Sequence, residues 1–101
     1  MITNKPKTLT ASYYGPRYDG RSTASGEIYS HKGYTCASWD YPLGTVLKVT
    51  RGKTTIRVVC NDRGPAKRLL ETRQIDLSQA AFAKLAPLTK GLIRVQVEVV
   101  K

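Results

Sequence analysis

Seven carboxylates, one imidazole and two thiols are the groups with which this 101-residue chain could move a proton or attack a bond. Their neighbours sort the carboxylates. Glu98 falls on the polar side of an alternating run, Asp76 stands where a helix needs an N-cap, and Glu71 lies in a charged loop with Arg68 and Arg73, so each of the three has a structural duty. Asp19, Glu27, Asp40 and Asp62 remain for general acid–base work. Asp62 sits in Asn61-Asp62-Arg63-Gly64-Pro65, directly after an apolar run, where Gly-Pro forces a turn and a strand-end carboxylate is placed to face a cleft. The same position also suits an aspartate that only bonds turn backbone or pairs with Arg63, and the residues alone leave both readings open.

Lys and Arg number 17 against 7 Asp and Glu, a formal charge of +10 that draws a protein of this size toward polyanions. The basic residues are scattered, and no helix-turn-helix, zinc-finger or RNA-recognition pattern is present, which moves nucleic acid to a minor alternative. One histidine and two cysteines without a C-x-x-C spacing fall short of the four ligands of a structural zinc site, so neither metal nor cofactor is expected. Cys36 and Cys60 could form a disulfide or remain small buried hydrophobes. No apolar window reaches the length of a membrane span. The first ten residues lack the apolar core of a signal peptide. Delivery by trimming from a longer protein, by lysis or on a phage particle is therefore expected.

The elements that must position these groups are mostly strands. Thr10 to Tyr14 is rich in β-formers, and the polar, glycine-bearing stretch from Gly15 to Gly26 reads as an exposed loop. Thr45 to Thr50 and Thr54 to Cys60, joined by Arg51-Gly52-Lys53, read as a hairpin. Asp76 or Ser78 is expected to cap a two-turn helix over Gln79 to Ala86 that Pro87 stops. Leu92 to Val100 alternates with period two and closes the fold as a half-buried strand. Residues 1–9 are expected to be an extension and 10–100 a single small barrel.

Five ordered segments carry a resemblance: Ala11-Ser12-Tyr13-Tyr14-Gly15, the run from Gly20 to Tyr29, Tyr41-Pro42-Leu43-Gly44-Thr45, Asn61-Asp62-Arg63-Gly64-Pro65 and Ile75-Asp76-Leu77-Ser78. From about residue 10 to residue 100 the chain resembles the rare lipoprotein A family, related in fold to expansins and barwin-like proteins. The resemblance implies a mainly β, six-stranded double-psi β-barrel with one or two short helices and a groove across one face. It also implies action at the cell wall, periplasmic or extracellular, on peptidoglycan or another anionic wall glycan by a lytic transglycosylase-like reaction. Carried over position by position, Asp62 and Glu27 are the implied catalytic pair, and Tyr13, Tyr14, Arg21, Ser38, Asn61 and Arg63 the expected substrate contacts. Tyr13 stands where the family often has tryptophan, which suits a sugar-stacking platform. The family commonly has a histidine where this chain has Ser38, and serine cannot share a proton at neutral pH as imidazole does.

A wall-directed enzyme is thus one expectation, with a carboxylate as acid and base. A glycan-binding module resembling expansins, needing aromatics and basic residues but no acid, is a second. A structural barrel inside a larger assembly such as a phage particle is a third, with protein partners undetermined. Cys36 and Cys60 precede proposed groove residues at matching offsets, and a bond between them would close a loop of some 25 residues worth roughly 3 kcal/mol on the chain-entropy estimate.

Overall fold

The computed structural model describes residues 5–100. Within them run the strands β1 (Lys7–Tyr14), β2 (Thr35–Ala37), β3 (Val46–Arg51), β4 (Thr54–Asp62), β5 (Ile75–Ser78) and β6 (Ile93–Val99), with one helix, α1 (Gln79–Leu85), between the last two. They close into a barrel in the order β1-β5-β2-β4-β3-β6. The β1–β5 and β2–β4 pairs are parallel, and the remaining contacts are antiparallel. This is the closed, mixed six-stranded barrel that the motif order implies.

Period-two patterning decides what each strand buries. Ile93, Val95 and Val97 of β6 point inward while Arg94 and Gln96 stay exposed. Leu47 and Val49 of β3, Ile56 and Val58 of β4, and Ile75 and Leu77 of β5 meet them in one core, which Phe82 and Leu85 of α1 seal. Each such side chain contributes roughly 1.5–3 kcal/mol through burial, so the alternation fixes which face of every strand is left for chemistry. The β3–β4 hairpin runs in register from Val46↔Val59 to Arg51↔Thr54. Its two-residue turn begins at Gly52 with φ 59°, a conformation that a side chain resists.

Two boundaries differ from the sequence expectation. β1 starts at Lys7 rather than near Thr10, because Lys7, Thr8 and Leu9 pair with Val97, Gln96 and Val95 of β6 and Leu9 enters the core. The rest of the expected extension up to Asn4 lies outside the described residues. Asp76 is not a helix cap. It belongs to β5, a four-residue strand that abuts the helix directly. Ser78 takes the N-cap position, but its hydroxyl donates to the Gly33 carbonyl at 2.7 Å instead of turning to the helix. The neighbouring loop supplies partners for the helix start: Ala80 N–H donates to the His31 carbonyl at 3.0 Å, and Gln79 N–H to the Tyr29 hydroxyl at 3.4 Å. The carboxylate that a cap would have occupied is free for another use.

Candidate functional site

Strand register assembles the site. Ser12 on β1 is the partner of Asp76 on β5, Asp76 is the partner of Ala37 on β2, and Ala37 is the partner of Asp62 on β4. These four residues form one register row across the barrel wall, with Ser12 and Ala37 buried and Asp76 and Asp62 half-buried. Asp76 and Asp62 are separated by a single intervening strand, about 10 Å at the usual strand spacing. The last step depends on an irregularity. β2 and β4 pair Cys36 with Cys60, yet Ala37 pairs with Asp62, so Asn61 is an extra residue in β4. A bulge of this kind turns the following side chain to the other face, and here it brings a carboxylate to the outside where strict alternation would have placed Asn61.

A groove of about 370 Å³ opens over the β1–β5 end of this row, with Asp76, Ser12, Tyr14, Tyr18, Arg73 and Pro65 on its walls. The Ser12 hydroxyl donates to Asp76 Oδ1. Burial raises the Asp76 carboxyl above its ordinary range; the Ser12 bond and the Arg73 charge work against that rise, and the Asp62 charge adds to it. Above Asp76 the chain comes close. A Cβ on Gly64 would lie 3.3 Å from the Ala37 Cβ and 3.6 Å from Asp76 Oδ2, so glycine lets the Asn61–Pro65 turn lie against the groove floor. The Gly64–Pro65 peptide is cis.

Asp62 and Glu27, the pair implied by the motifs, are not on the wall of this groove, and they bond to the neighbouring residues Ala24 and Ser25 of the loop after β1. Asp62 Oδ1 accepts the backbone N–H of Ala24 at 2.9 Å and of Arg63 at 2.8 Å. Ser25 N–H donates to the Asn61 carbonyl at 3.1 Å, and the Ser25 hydroxyl donates to Glu27 Oε1 at 3.3 Å. Asp62 thus ties the long loop after β1 to the end of β4, and Glu27 rides exposed on that loop. Both bonds on Asp62 fall on Oδ1, which leaves Oδ2 to carry a proton.

The expected substrate contacts divide. Tyr14 lines the groove, its ring stacked on Tyr29 at 4.2 Å, and exposed Arg21, which is not on the groove wall, lies 5.3 Å from the Tyr18 ring centre. Burial pushes the Tyr14 phenol up, so it stays neutral. Tyr13 lines the groove half-buried, its ring packed on Phe82 at 4.7 Å and its hydroxyl donating to the Leu88 carbonyl. Ser38 is fully buried and its hydroxyl accepts Asp40 N–H at 3.1 Å. Its own N–H donates to the Asp62 carbonyl at 3.1 Å. Asn61 is buried under the loop with Oδ1 unpartnered. The Arg63 guanidinium donates to the carbonyls of Ser38 and Tyr41 at 2.7 and 2.6 Å. Of these last three, Ser38 and Asn61 are buried and Arg63 is half-buried.

Sequence reasoning missed Asp76, Arg73, Arg17 and Tyr18, all on the groove wall. A signal for Asp76 existed in the apolar-polar-apolar triplet Ile75-Asp76-Leu77, which fits a strand as well as a cap. Trp39, 40% exposed, donates through its indole N–H to the Pro65 carbonyl and carries the Lys67 ammonium over its ring at 4.6 Å. His31 is a loop clasp: its N–H donates to Asp19 Oδ1 at 2.7 Å and its Nδ1 meets Asp19 Oδ2 at 2.6 Å. Cys36 and Cys60 face one another in register as free, buried thiols. Among the described residues no group of three or more metal-ligating side chains is present, and no helix is long and apolar enough to cross a membrane.

Residues 7–97 match a family model described as "Lytic transglycolase". Among curated proteins, the chain is 44% identical over 90 residues to a probable endolytic peptidoglycan transglycosylase RlpA of Treponema pallidum, covering 86% of this chain and 27% of that protein. It is 45% identical over 92 residues to the endolytic peptidoglycan transglycosylase RlpA of Pseudomonas aeruginosa, covering 88% and 26%. The chain spans about a quarter of the length of these relatives. Among solved structures it is similar to the Streptomyces papain inhibitor, with TM-score 0.76, 30% identity and 96% of both chains covered. It is also similar to an apo expansin of Clavibacter michiganensis, with TM-score 0.74, 25% identity, and 96% of this chain and 51% of that one covered.

Proposed function

Since the chain belongs to the lytic transglycolase family of double-psi β-barrels, we propose that it cleaves wall glycan of the peptidoglycan type, using the groove carboxyl Asp76 as acid and base. The observation that carries this reading is the row Ser12–Asp76–Ala37–Asp62, with a half-buried carboxyl of raised pKa at the open groove. Two other findings support it. The relatives named as peptidoglycan transglycosylases align over nearly the whole chain, and the groove wall carries the cations Arg17 and Arg73 beside aromatic faces, a lining suited to a glycan bearing carboxylates.

A lytic transglycosylase does not activate water, so one acid can serve both halves of the reaction. Protonated Asp76 gives its proton to the glycosidic oxygen as the C1–O bond breaks. The resulting carboxylate then takes the proton of the muramic acid C6 hydroxyl as that oxygen bonds to C1, closing a 1,6-anhydro ring and restoring the acid. Burial favours the neutral carboxyl needed at the start. Asp62, fixed by two amides, presents negative charge toward the oxocarbenium-like centre one strand away, and Glu27 stands at the loop rim as a further carboxylate. In this scheme the imidazole that the family commonly has at position 38 has no proton to carry.

Digestion of purified peptidoglycan with analysis of products by mass tests the reading. Anhydro-muropeptides are expected. Hydrolysed products would replace transglycosylation with attack by water, and no products with retained wall binding would favour the second reading, a glycan-binding module. That second reading has its own support in the buried serine at position 38 and in the likeness to an expansin.

A further inference from the structure

Away from the groove, β1, β6, β3 and β4 lie side by side and their outward residues form a second row. Thr8 pairs with Gln96, Gln96 with Thr50, and Thr50 with Thr55, the two threonine hydroxyls of the hairpin sharing a 3.0 Å hydrogen bond. Beside this row is a cavity of about 370 Å³ walled by Thr8, Thr50, Arg51, Gly52, Arg94 and Gln96. It shares no residue with the groove. Among the described residues no carboxylate and no aromatic ring lines it, and Glu98, the acid on the outward face of β6, is held by Lys48 at 3.0 Å. Arg51 is set in place before any ligand arrives: Nη1 donates to the carbonyl of Leu85, the last residue of α1, at 3.0 Å. That bond leaves the remaining N–H donors of the guanidinium unused. Arg94 is exposed on the neighbouring strand.

We propose that this cavity is an anion site that takes the phosphodiester groups of a polyol-phosphate wall polymer. Two guanidinium forks with threonine hydroxyls and a side-chain amide form a donor-rich lining, and a phosphodiester, with two anionic and two ester oxygens, offers more acceptors to it than a carboxylate with two. The lack of an aromatic platform speaks against single-stranded nucleic acid, whose bases need a surface to stack on. The phosphate chemistry stands on the cavity alone; the choice of a wall polymer as its source rests on the wall-directed reading above. Holding such a polymer on one side of the barrel would keep glycan near the groove on the other by raising its effective concentration.

Calorimetric titration of the full chain with oligo(glycerol phosphate) tests the proposal. Arg94→Ala should weaken binding about tenfold, the loss of one charge-assisted hydrogen bond, without moving the thermal midpoint. Arg51→Lys, which keeps charge but loses the fork, should also weaken it. Lys32→Ala, removing an exposed charge elsewhere, should have little effect. Unchanged affinity in Arg94→Ala, or an equal loss in Lys32→Ala, would overturn the proposal. Single-stranded DNA of matched charge binding as tightly, with the same dependence on Arg94, would assign the cavity to nucleic acid and overturn it too. Release of muropeptides from polymer-free peptidoglycan should be the same for Arg94→Ala and wild type. Failure of wild type in that assay, with Arg94-dependent phosphate binding intact, would remove the groove reading and leave the anion site standing.

Discussion

Asp76 shows how a single residue can be chemically suited to a task and costly to the fold at once. Its carboxyl is raised chiefly by burial, so its folded pKa lies above its unfolded value. The stability it contributes is therefore fully present below the unfolded pKa and is lost as pH rises through the folded one. Asp76→Asn removes that loss. Its thermal midpoint should exceed that of wild type at pH 7, and the difference should shrink as pH falls through the carboxylate range. A midpoint lowered at neutral pH would mean that the ionised group is held by its neighbours and is not poised to be an acid. The same sign governs activity: cleavage that needs the protonated form should fall as pH rises through a pKa above the ordinary carboxylate range. Sequence could point to Asp62, because a strand-end aspartate before Gly-Pro is visible in the chain. Asp76 was hidden by Gln79-Ala80-Ala81-Phe82, a helical stretch that makes any preceding aspartate look like a cap. Ser38, Asn61 and Arg63 come as substrate contacts from the motif resemblance, which carries residue type and order but not burial, and Ser38 and Asn61 are buried.

At the scale of elements, the parts legible beforehand were those with long local patterns. The β3–β4 hairpin and β6 announce themselves by alternation and by a glycine turn. β2 and β5, of three and four residues, are strands because neighbouring strands pair with them, and the Ile75-Asp76-Leu77 triplet is too short a local pattern to fix β5 by itself. The bulge at Asn61 belongs to the same class, since it is a mismatch between two strands and not a property of either. It has a consequence for the loop after β1, which Asp62 anchors through Ala24 N–H. Asp62→Ala should raise hydrogen exchange at Ala24 and its neighbours at least tenfold, leaving the β3–β4 hairpin amides unchanged. Exchange rising everywhere would show a fold effect instead of a local clasp. The register that sets Cys36 against Cys60 also couples their thiols: the hydrogen bond between them lowers Cys60 and raises Cys36. Exposure to oxidised glutathione followed by intact mass with and without reductant should show a loss of two hydrogens reversed by reduction. A glutathione adduct on a single cysteine would argue against the pairing.

At the scale of the whole molecule, a charge of +10 surrounds a barrel that carries a groove walled by the Asp76 carboxyl with Arg17 and Arg73, and a separate cavity between Arg51 and Arg94. Binding to wall sacculi should weaken with salt, because exposed charges are screened over roughly 8 Å at physiological ionic strength and over about 3 Å at 1 M. A pull-down should lose most bound protein toward 1 M salt, and retention independent of salt would assign binding to stacking on groove aromatics alone. The central claim is that the groove cuts glycan through Asp76. The most direct measurement is muropeptide release from purified peptidoglycan by wild type and Asp76→Asn, with wall retention read in the same samples. Loss of the proton donor should lower release of anhydro products by about two to four orders of magnitude while retention is unchanged; release by Asp76→Asn at the wild-type rate would contradict it.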